Sequence, residues 1–524
     1  MRHTKVSQRN SSSCTILWAL TVLTSLILSG FFIAPIVQKF SDSPTYTTVA
    51  NTNYPIWHLD FPAISICPNI RIDSKRLKEV LRNEPWSKLD KYSLDQVLPK
   101  VLKKYLFLPG MDSNFEDVEA DMKSFVDQYH QYIPQLLRSS IYSCQSLFQN
   151  CKWQGIATLC SDLFEMRKTD LGYCCSFNTV RQAEQFDFQD DEGFSFHNYY
   201  GEDYFELVDY TLENMYDNDE NIYANDEDPT KRKRRSTPEV SKPKVTRLRR
   251  TNSAGTSLGL SFSIVIPERS TDDYTIAAFD GFKVQIHSPY DFPEVEGRGL
   301  AVATNQIAFI SVSASITRST ENVKAMNRDR RNCFLSDEEL DDYYIADGVQ
   351  FNTFDNYTQK SCLLECQAHL IFKECQCIPH YFPSFSKALG QNTTCNHTGL
   401  DCLINHQHLL NALKPDDEEH SHQLMEGAKC NCPQQCDETV YMTEFSQVPK
   451  SSSVSSKEAG FGNTSDVYVY FKQFGVIEFS RDQLFSLADL IGALGGIMGL
   501  FVGFSVLSGV ELIYWFTLRL FNNH

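Results

Sequence analysis

Two long apolar runs stand near the two ends of the chain, and they differ in kind. From Thr15 to Val37 no charged residue occurs over 23 positions. At about 1.5 Å per residue that length crosses a hydrocarbon core of roughly 30 Å. The run is long for a signal peptide, and Phe31-Phe32-Ile33-Ala34-Pro35 offers no small-residue cleavage site, so an uncleaved transmembrane helix is predicted over residues 15–38. The second run, within residues 484–518, contains Asp489, Gly492, Gly495, Gly496, Gly499, Gly503, Ser505, Ser508 and Glu511. Carboxylates and exposed backbone are costly in lipid unless they face protein or water. This helix is therefore predicted to line something wet. The spacing of Gly495, Gly499 and Gly503 at i, i+4, i+8 also suits close helix packing, and the two readings are compatible.

Between these runs the periodicity changes repeatedly. Helical stretches are predicted at Ser74 to Leu81, Ser93 to Tyr105 and Asn114 to Leu137, peripheral and interrupted by Pro85 and Pro109. Leu258 to Pro267 alternates and is β-branched, and Gly281 to His287 and Ala301 to Thr317 also read as strands of a buried sheet. Ten cysteines fall between Cys333 and Cys436, with helical turns expected at Asp337 to Tyr344 and Cys362 to Phe372. Val467 to Phe479 alternates strongly and leads into the second apolar run, so a strand is expected to join the intervening domain to the membrane. No internal repeat is present. The pattern is that of an α+β membrane protein, with two transmembrane helices flanking a large disulfide-rich domain that has a β-sheet core and peripheral helices.

Charge and cysteine usage give this arrangement a direction. The short tails, 1–14 and 519–524, carry Arg2, Lys5, Arg9 and Arg519 and no acid, which places both termini in the cytoplasm and residues 39–483 outside. Of 17 cysteines only Cys14 lies elsewhere. The other sixteen, Cys67, Cys144, Cys151, Cys160, Cys174, Cys175 and the ten from Cys333 onward, suit eight disulfides in an oxidising compartment. The rival is zinc, through Cys375-Gln-Cys377, Cys430-Asn-Cys432 and the spacings Cys362 to Cys366 and Cys432 to Cys436; the repeated two-residue spacing that zinc sites favour is absent, and no metal is expected. Sequons at Asn356, Asn392, Asn396 and Asn463 lie in the same region.

The net charge of −18 belongs to this outer domain. Gln182 to Thr230 holds no Lys or Arg, while residues 187–228 hold 15 acids. Such a run reads as a solvated surface, or as a cation-attracting field if it lies near a mouth. The charge then reverses in Lys231-Arg232-Lys233-Arg234-Arg235 and Arg247-Leu248-Arg249-Arg250. An extracellular location excludes nucleic acid as the partner. Both clusters have the Arg-x-Lys/Arg-Arg form preferred by furin-like proteases, and cleavage after Arg235 and Arg250 would release 15 residues.

Several motifs carry a family resemblance. Phe61-Pro62-Ala63-Ile64-Ser65-Ile66-Cys67-Pro68-Asn69 after the first apolar run, and Gly495-Gly496-x-x-Gly499-Leu500-Phe501-x-Gly503-Phe504-Ser505-x-Leu507-Ser508-x-x-Glu511 in the second, resemble the signatures of the degenerin and epithelial sodium channel superfamily. Cys144-x6-Cys151-x-Trp153-x6-Cys160, Gly172-Tyr173-Cys174-Cys175-Ser176-Phe177-Asn178, Ile286-His287-Ser288-Pro289, Arg331-Asn332-Cys333-Phe334 and Tyr357-Thr358-Gln359-x-x-Cys362-x3-Cys366 are most similar to its insect pickpocket branch. The likeness runs from residue 15 to 518.

The resemblance implies a trimeric, sodium-selective, amiloride-sensitive channel of the plasma membrane, homomeric or assembled with related subunits and gated by an extracellular stimulus. It divides residues 39–483 into a palm segment (54–72), a finger-like helical region (73–180), the acidic and multibasic loop (181–257), palm and β-ball strands (258–332), a cysteine-rich thumb (333–436) and returning palm strands (437–483). Gly503, Phe504 and Ser505 match the selectivity filter, where glycine permits an irregular backbone and oxygen dipoles replace part of an ion's hydration shell. Gly492 matches the degenerin gating position. Glu511, costly in lipid by about 2.5–3.5 kcal/mol, would face the pore, with Asp489 at the outer mouth. The chain departs from many relatives in having Ala493 after the gating position, and it lacks the His-Gly motif before the first helix, where His3 is followed by Thr4. An accessory subunit that needs a partner chain, or a two-helix receptor of another class, is the alternative. No His-Glu-x-x-His, phosphate loop or Gly-x-Ser-x-Gly elbow is present, so no enzyme activity and no cofactor beyond permeant sodium is expected.

Overall fold

A computed structural model describes residues 4–42, 45–83, 85–107, 119–180, 248–266, 279–335, 338, 357–382, 394–406, 430, 432–450, 464–503 and 505–516. The acidic run, the cluster ending at Arg235, the turn expected at Asp337 to Tyr344 apart from Glu338, and the sequons at Asn356, Asn392 and Asn463 lie outside the described residues.

The chain opens with α1 (Thr4–Asp42), whose stretch Thr15–Ser41 is long and apolar enough to cross a membrane, three residues beyond the expected end. It continues into β1 (Thr45–Pro55) and β2 (Ala63–Pro68), then α2 (Ser74–Val80), α3 (Leu98–Phe107), α4 (Glu119–Tyr129) and α5 (Ile133–Ser140). Strands β3 (Phe148–Trp153), β4 (Ile156–Ala157), β5 (Phe164–Thr169) and β6 (Gly172–Phe177) come next. After the acidic segment come β7 (Leu260–Val265), β8 (Gly281–His287), β9 (Leu300–Ala303) and β10 (Gln306–Ser319). The cysteine-rich module contributes α6 (Gln359–Cys375) and α7 (His397–Asn405), and the chain returns through β11 (Glu438–Pro449), β12 (Thr464–Phe471) and β13 (Gly475–Gln483) to α8 (Leu487–Val502) and α9 (Val506–Phe516).

Where one buried sheet was expected, the strands form two. β7 and β10 belong to an eight-stranded sheet with β1, β3, β4, β11, β12 and β13, whereas β8 and β9 join β5, β6 and β2 in a five-stranded one. The run Ala301 to Thr317 is cut into β9 and β10 because Asn305 takes the left-handed conformation, with φ 57°, that Asn tolerates in turns. The two sheets share one apolar core. Phe61, fully buried, stands edge-on to Trp153, Phe177 and Phe471, at centroid distances of 4.9, 6.1 and 5.3 Å, a favoured aromatic geometry. Strict alternation in β10 buries Ala308, Ile310, Val312, Ala314 and Ile316, as period two requires.

Strand β10 also organises the connections. β11 pairs antiparallel along it from Gln306↔Pro449 to Thr317↔Glu438. Along its other edge lie β12, from Ile307↔Asp466 to Val312↔Phe471, and then β13, from Ser315↔Ile477 to Ser319↔Arg481. The expected strand Val467 to Phe479 is thus two, divided by a bend at residues 472–474. β13 in turn pairs with β1, from Pro55↔Gly475 to Thr45↔Gln483. The strand leaving α1 and the strand entering α8 are neighbours.

The helices are less peripheral than their periodicity suggested. α2 to α5 pack with α6 and α7 around a second core that includes Trp86, Leu102, Met122, Leu136, Ala368 and Leu400. Tyr105 donates to Cys395 O at 2.9 Å and Lys104 meets Asp401 at 2.5 Å across that junction. The single helix expected over Asn114 to Leu137 is two, because Pro134, lacking an N–H, sits in the first turn of α5 and restarts it. Five disulfides staple the cysteine-rich module: Cys333–Cys436, Cys362–Cys432, Cys366–Cys430, Cys375–Cys402 and Cys377–Cys395. Three more, Cys67–Cys174, Cys144–Cys175 and Cys151–Cys160, hold the finger-like region to the smaller sheet and close the β3–β4 hairpin. All sixteen cysteines from Cys67 to Cys436 are paired. Cys375 and Cys402, which approach His406, are bonded to each other rather than offering thiolates.

Two buried histidines tie the fold to pH. His287 hydrogen-bonds Ser65 Oγ through Nε2 at 2.9 Å and Ser288 O through Nδ1 at 2.9 Å. Burial lowers its pKa to about 4, and that of His380 to about 3. The unfolded chain binds these protons near pH 6.5 and the folded chain only well below it. Stability is therefore full above pH 6.5 and falls as the pH drops toward 4, by up to about 1.4 kcal/mol per unit for each histidine. Thermal melting of the detergent-solubilised protein between pH 7 and 5 should show this slope, and His287→Gln should make it shallower. An unchanged slope in the variant would show that His287 titrates normally.

Candidate ion pathway

The second apolar run is not one helix. α8 and α9 meet at an angle of 78° across Gly503 to Ser505. α8 stops because Gly503 adopts φ 68° and donates its N–H to Gly499 O at 3.1 Å, a left-handed C-cap that glycine takes without steric cost. α9 starts because Ser505 caps it. Ser508 N donates to Ser505 Oγ at 3.3 Å, Ser505 N donates to Ser508 Oγ at 3.4 Å, and the two hydroxyls lie 3.2 Å apart. The reciprocal pair resembles a capping box and satisfies backbone donors at the break. Phe504, between these two caps, lies outside the described residues.

α8 begins with the same device. Asp489 N donates to Ser486 Oγ at 3.1 Å, while Asp489 Oδ2 accepts from Ser486 N at 3.0 Å and from the Ser486 hydroxyl at 2.6 Å. Asp489, assigned from the sequence to outer-mouth electrostatics, is thus engaged in a complete capping box, and Ser486 is a residue the sequence reading passed over. The Ser486-x-x-Asp489 spacing ahead of an apolar run was the available signal.

The two faces of α8 are used differently. Ala493, Leu494, Ile497, Met498 and Phe501 are half-buried, whereas Gly492, Gly495, Gly496, Gly499 and Gly503 are exposed. The first set faces α1: Phe32 stacks on Phe501 at 5.4 Å, and Ser29, 4 % exposed, donates to Met498 Sδ at 3.9 Å. The glycine face points away. A Cβ built on Gly492, Gly495 or Gly496 would meet nothing within 4 Å. Glu511 lies exposed on α9 and has no ion pair among the described residues.

The remaining predicted residues sit elsewhere. Arg250 pairs with Asp60 through Nε at 2.8 Å, and its carbonyl accepts from Gln154 Nε2 at 2.9 Å. Arg249 is held on both sides, its N–H on Asn178 Oδ1 at 2.7 Å and its carbonyl on Phe61 N at 2.8 Å, and Thr251 is 1 % exposed. Asn396 caps α7, accepting from Gly399 N at 3.0 Å.

The chain thus combines a helix long and apolar enough to cross a membrane, a second apolar helix broken at glycine and restarted at serine beside it, and a disulfide-stapled two-sheet domain. The amiloride-sensitive sodium channel family model matches residues 1–515, and the chain belongs to that family. It is 23 % identical over 523 residues to pickpocket protein 28 of Drosophila melanogaster, covering 96 % of this chain and 74 % of that one. Sodium channel protein Nach of Drosophila ananassae is 22 % identical over 512 residues, 97 % of this chain and 82 % of its own length. Acid-sensing ion channel 2 of Danio rerio is 27 % identical over 285 residues, 51 % and 46 % of the two chains.

The caps give a direct test of the local account. Ser486→Ala removes the hydroxyl that holds Asp489 N and should destabilise the start of α8 by about 0.5–2 kcal/mol. Hydrogen exchange at residues 487–490 should speed up while exchange in α1 stays as it was; no change at 487–490 would show that the box is not formed.

Proposed function

We propose that this chain is a subunit of a trimeric, sodium-selective, amiloride-sensitive channel of the plasma membrane, with cytoplasmic termini and a gate driven from its extracellular domain. The observation that carries the reading is the break at Gly503 to Ser505 on a helix whose glycine face is left uncovered by α1. Three such faces meeting at an axis place the break where backbone carbonyls can face an ion. Gly503, Phe504 and Ser505 then form the filter, and three copies of Glu511 on the cytoplasmic side attract cations and repel anions. Gly492 is the position at which a small side chain lets the neighbouring helices close.

Gly492 gives the sharpest test, because the single chain has room for a larger residue there. Gly492→Val should fold and reach the surface normally. In voltage-clamped oocytes it should raise a sodium-dependent, amiloride-blocked current several-fold over the unsubstituted chain, and Glu511→Gln should lower that current most at low ionic strength, where screening is weakest. Current that appears only on co-expression with a related subunit assigns the chain to heteromers. Absence of sodium current in every combination, with normal surface expression, removes the channel reading.

Processing by a furin-like protease belongs to the same proposal. The bonds that hold Arg249 and Arg250 must break before the chain after Arg250 enters a protease cleft. Cleavage after Arg235 should therefore outpace cleavage after Arg250 on reducing gels. Alanine at both clusters should abolish the faster-migrating fragments, and persistence of the fragments would discard the protease.

A further inference from the structure

The bridges of this chain are not equally protected. In Cys366–Cys430 and Cys375–Cys402 neither cysteine is buried, whereas every other bridge has at least one buried end. Cys375–Cys402 joins the last residue of α6 to the body of α7. Two residues past Cys375, a second bridge links nearly the same places: Cys377 pairs with Cys395, which are 6 % and 0 % exposed. Loss of the outer bridge therefore leaves α6 and α7 covalently joined through the inner one.

An imidazole stands beside the outer bridge. His406 is exposed and follows α7, and its Nδ1 lies 3.0 Å from Cys402 O and 3.7 Å from Cys402 Sγ. The carbonyl oxygen and the bridged sulfur can only accept, so Nδ1 carries the hydrogen and is shared between them. Cys375 Sγ belongs to the same group, in which the two sulfurs and a ring nitrogen lie within 4.8 Å of one another. In thiol–disulfide exchange charge develops on the departing sulfur, and a better stabilised thiolate leaves faster. An N–H already beside Cys402 Sγ is placed to receive that charge.

We propose that Cys375–Cys402 is a reducible bridge, opened by a low-molecular-weight thiol such as glutathione, with His406 donating its Nδ1–H to the departing Cys402 sulfur. A glutathione thiolate attacks Cys375 Sγ. A new sulfur–sulfur bond forms there as the Cys375–Cys402 bond breaks, and the electron pair leaves on Cys402 Sγ. A second glutathione thiolate then attacks the glutathione sulfur of this mixed disulfide and expels the Cys375 thiolate. The two cysteines take up the protons that the two thiols gave up, so the bridge is reduced and glutathione is oxidised to its disulfide. The outcome is a cysteine-rich module with one of its two links between α6 and α7 open and its buried link closed. The proposal depends on no property of the pore, and its test needs no current.

The detergent-solubilised full chain, exposed to graded reduced glutathione and quenched by alkylation, reports each bridge by mass spectrometry. Cys375 and Cys402 should be alkylated first, while Cys377 and Cys395 stay bridged, and the transient glutathione adduct should sit on Cys375. His406→Leu, at an exposed position, should slow opening of this bridge by roughly tenfold and leave the rates of the other bridges as they were. His406→Asn, which keeps an N–H donor, should recover part of the rate. A different bridge opening first, an adduct on Cys402, or an unchanged rate in His406→Leu overturns the proposal. Should His406→Leu fold poorly, which altered rates at every bridge would reveal, a rate in His406→Asn equal to that of the unsubstituted chain at all other bridges and slower only at this one supports it, and equal rates at this bridge for His406→Asn and His406→Leu overturn it.

Discussion

The structure depends on one strand being shared. β10 lies between β11 on one edge and β12 followed by β13 on the other, and it ends where the cysteine-rich module begins. β13 runs on into α8, and its outer neighbour β1 comes directly from α1. Where β10 leaves the sheet, its ties reach both directions. Ser319 Oγ donates to Cys436 O at 2.9 Å, Thr320 N donates to Arg481 O at 3.0 Å, Thr320 Oγ1 donates to Asp482 Oδ1 at 2.7 Å, and Arg481 reaches Gln435 O at 3.1 Å. The entry and exit of the stapled module are thus fastened to Arg481 and Asp482 at the end of β13.

Disulfides add covalent constraint to this arrangement. Cys333–Cys436 closes a loop with a sequence separation of 103, and Cys67–Cys174 one of 107. Cross-links over such lengths restrict the unfolded chain most in the entropic account. The covalent frame and the aromatic core around Phe61 act on different parts of the domain. The core fixes the two sheets against each other, whereas most bridges lie in the module, where α6 and α7 pack on the finger-like helices.

Much of this was legible in the residues, and the parts that were not share a cause. The apolar run of α1, the alternation of β7, β8 and β10 and the pairing of all sixteen cysteines were visible because period, length and parity are local or countable properties. Connectivity of the bridges was not, since it depends on which loops the fold brings together. The division of strands into two sheets was hidden for the same reason: β8 and β10 alternate alike, and only pairing distinguishes them. The capping box at Asp489 was hidden for a subtler one: its charge drew attention outward, while the hydroxyl three residues earlier makes it a helix cap as well. Gly503 and Ser505 were found through resemblance, and the geometry adds why those types are there: one ends a helix at positive φ and the other begins the next.

That pair of caps resolves what is otherwise a conflict in α8 and α9. A helix interrupted in lipid exposes carbonyls and N–H groups with no water to receive them. The glycine turn satisfies one side of the break through Gly499 O, and the Ser505–Ser508 pair satisfies the other, so little is left bare except what the break is placed to present. The division of faces follows the same logic. Phe32 and Phe501 anchor α8 to α1 through side chains, while Gly492, Gly495 and Gly496, turned away from α1, leave open space around their Cα atoms. A Cβ at Gly492, Gly495 or Gly496 meets nothing within 4 Å in the single chain, whereas Gly503, at φ 68°, is held to glycine by its own backbone, so the two ends of the same face differ in what limits substitution.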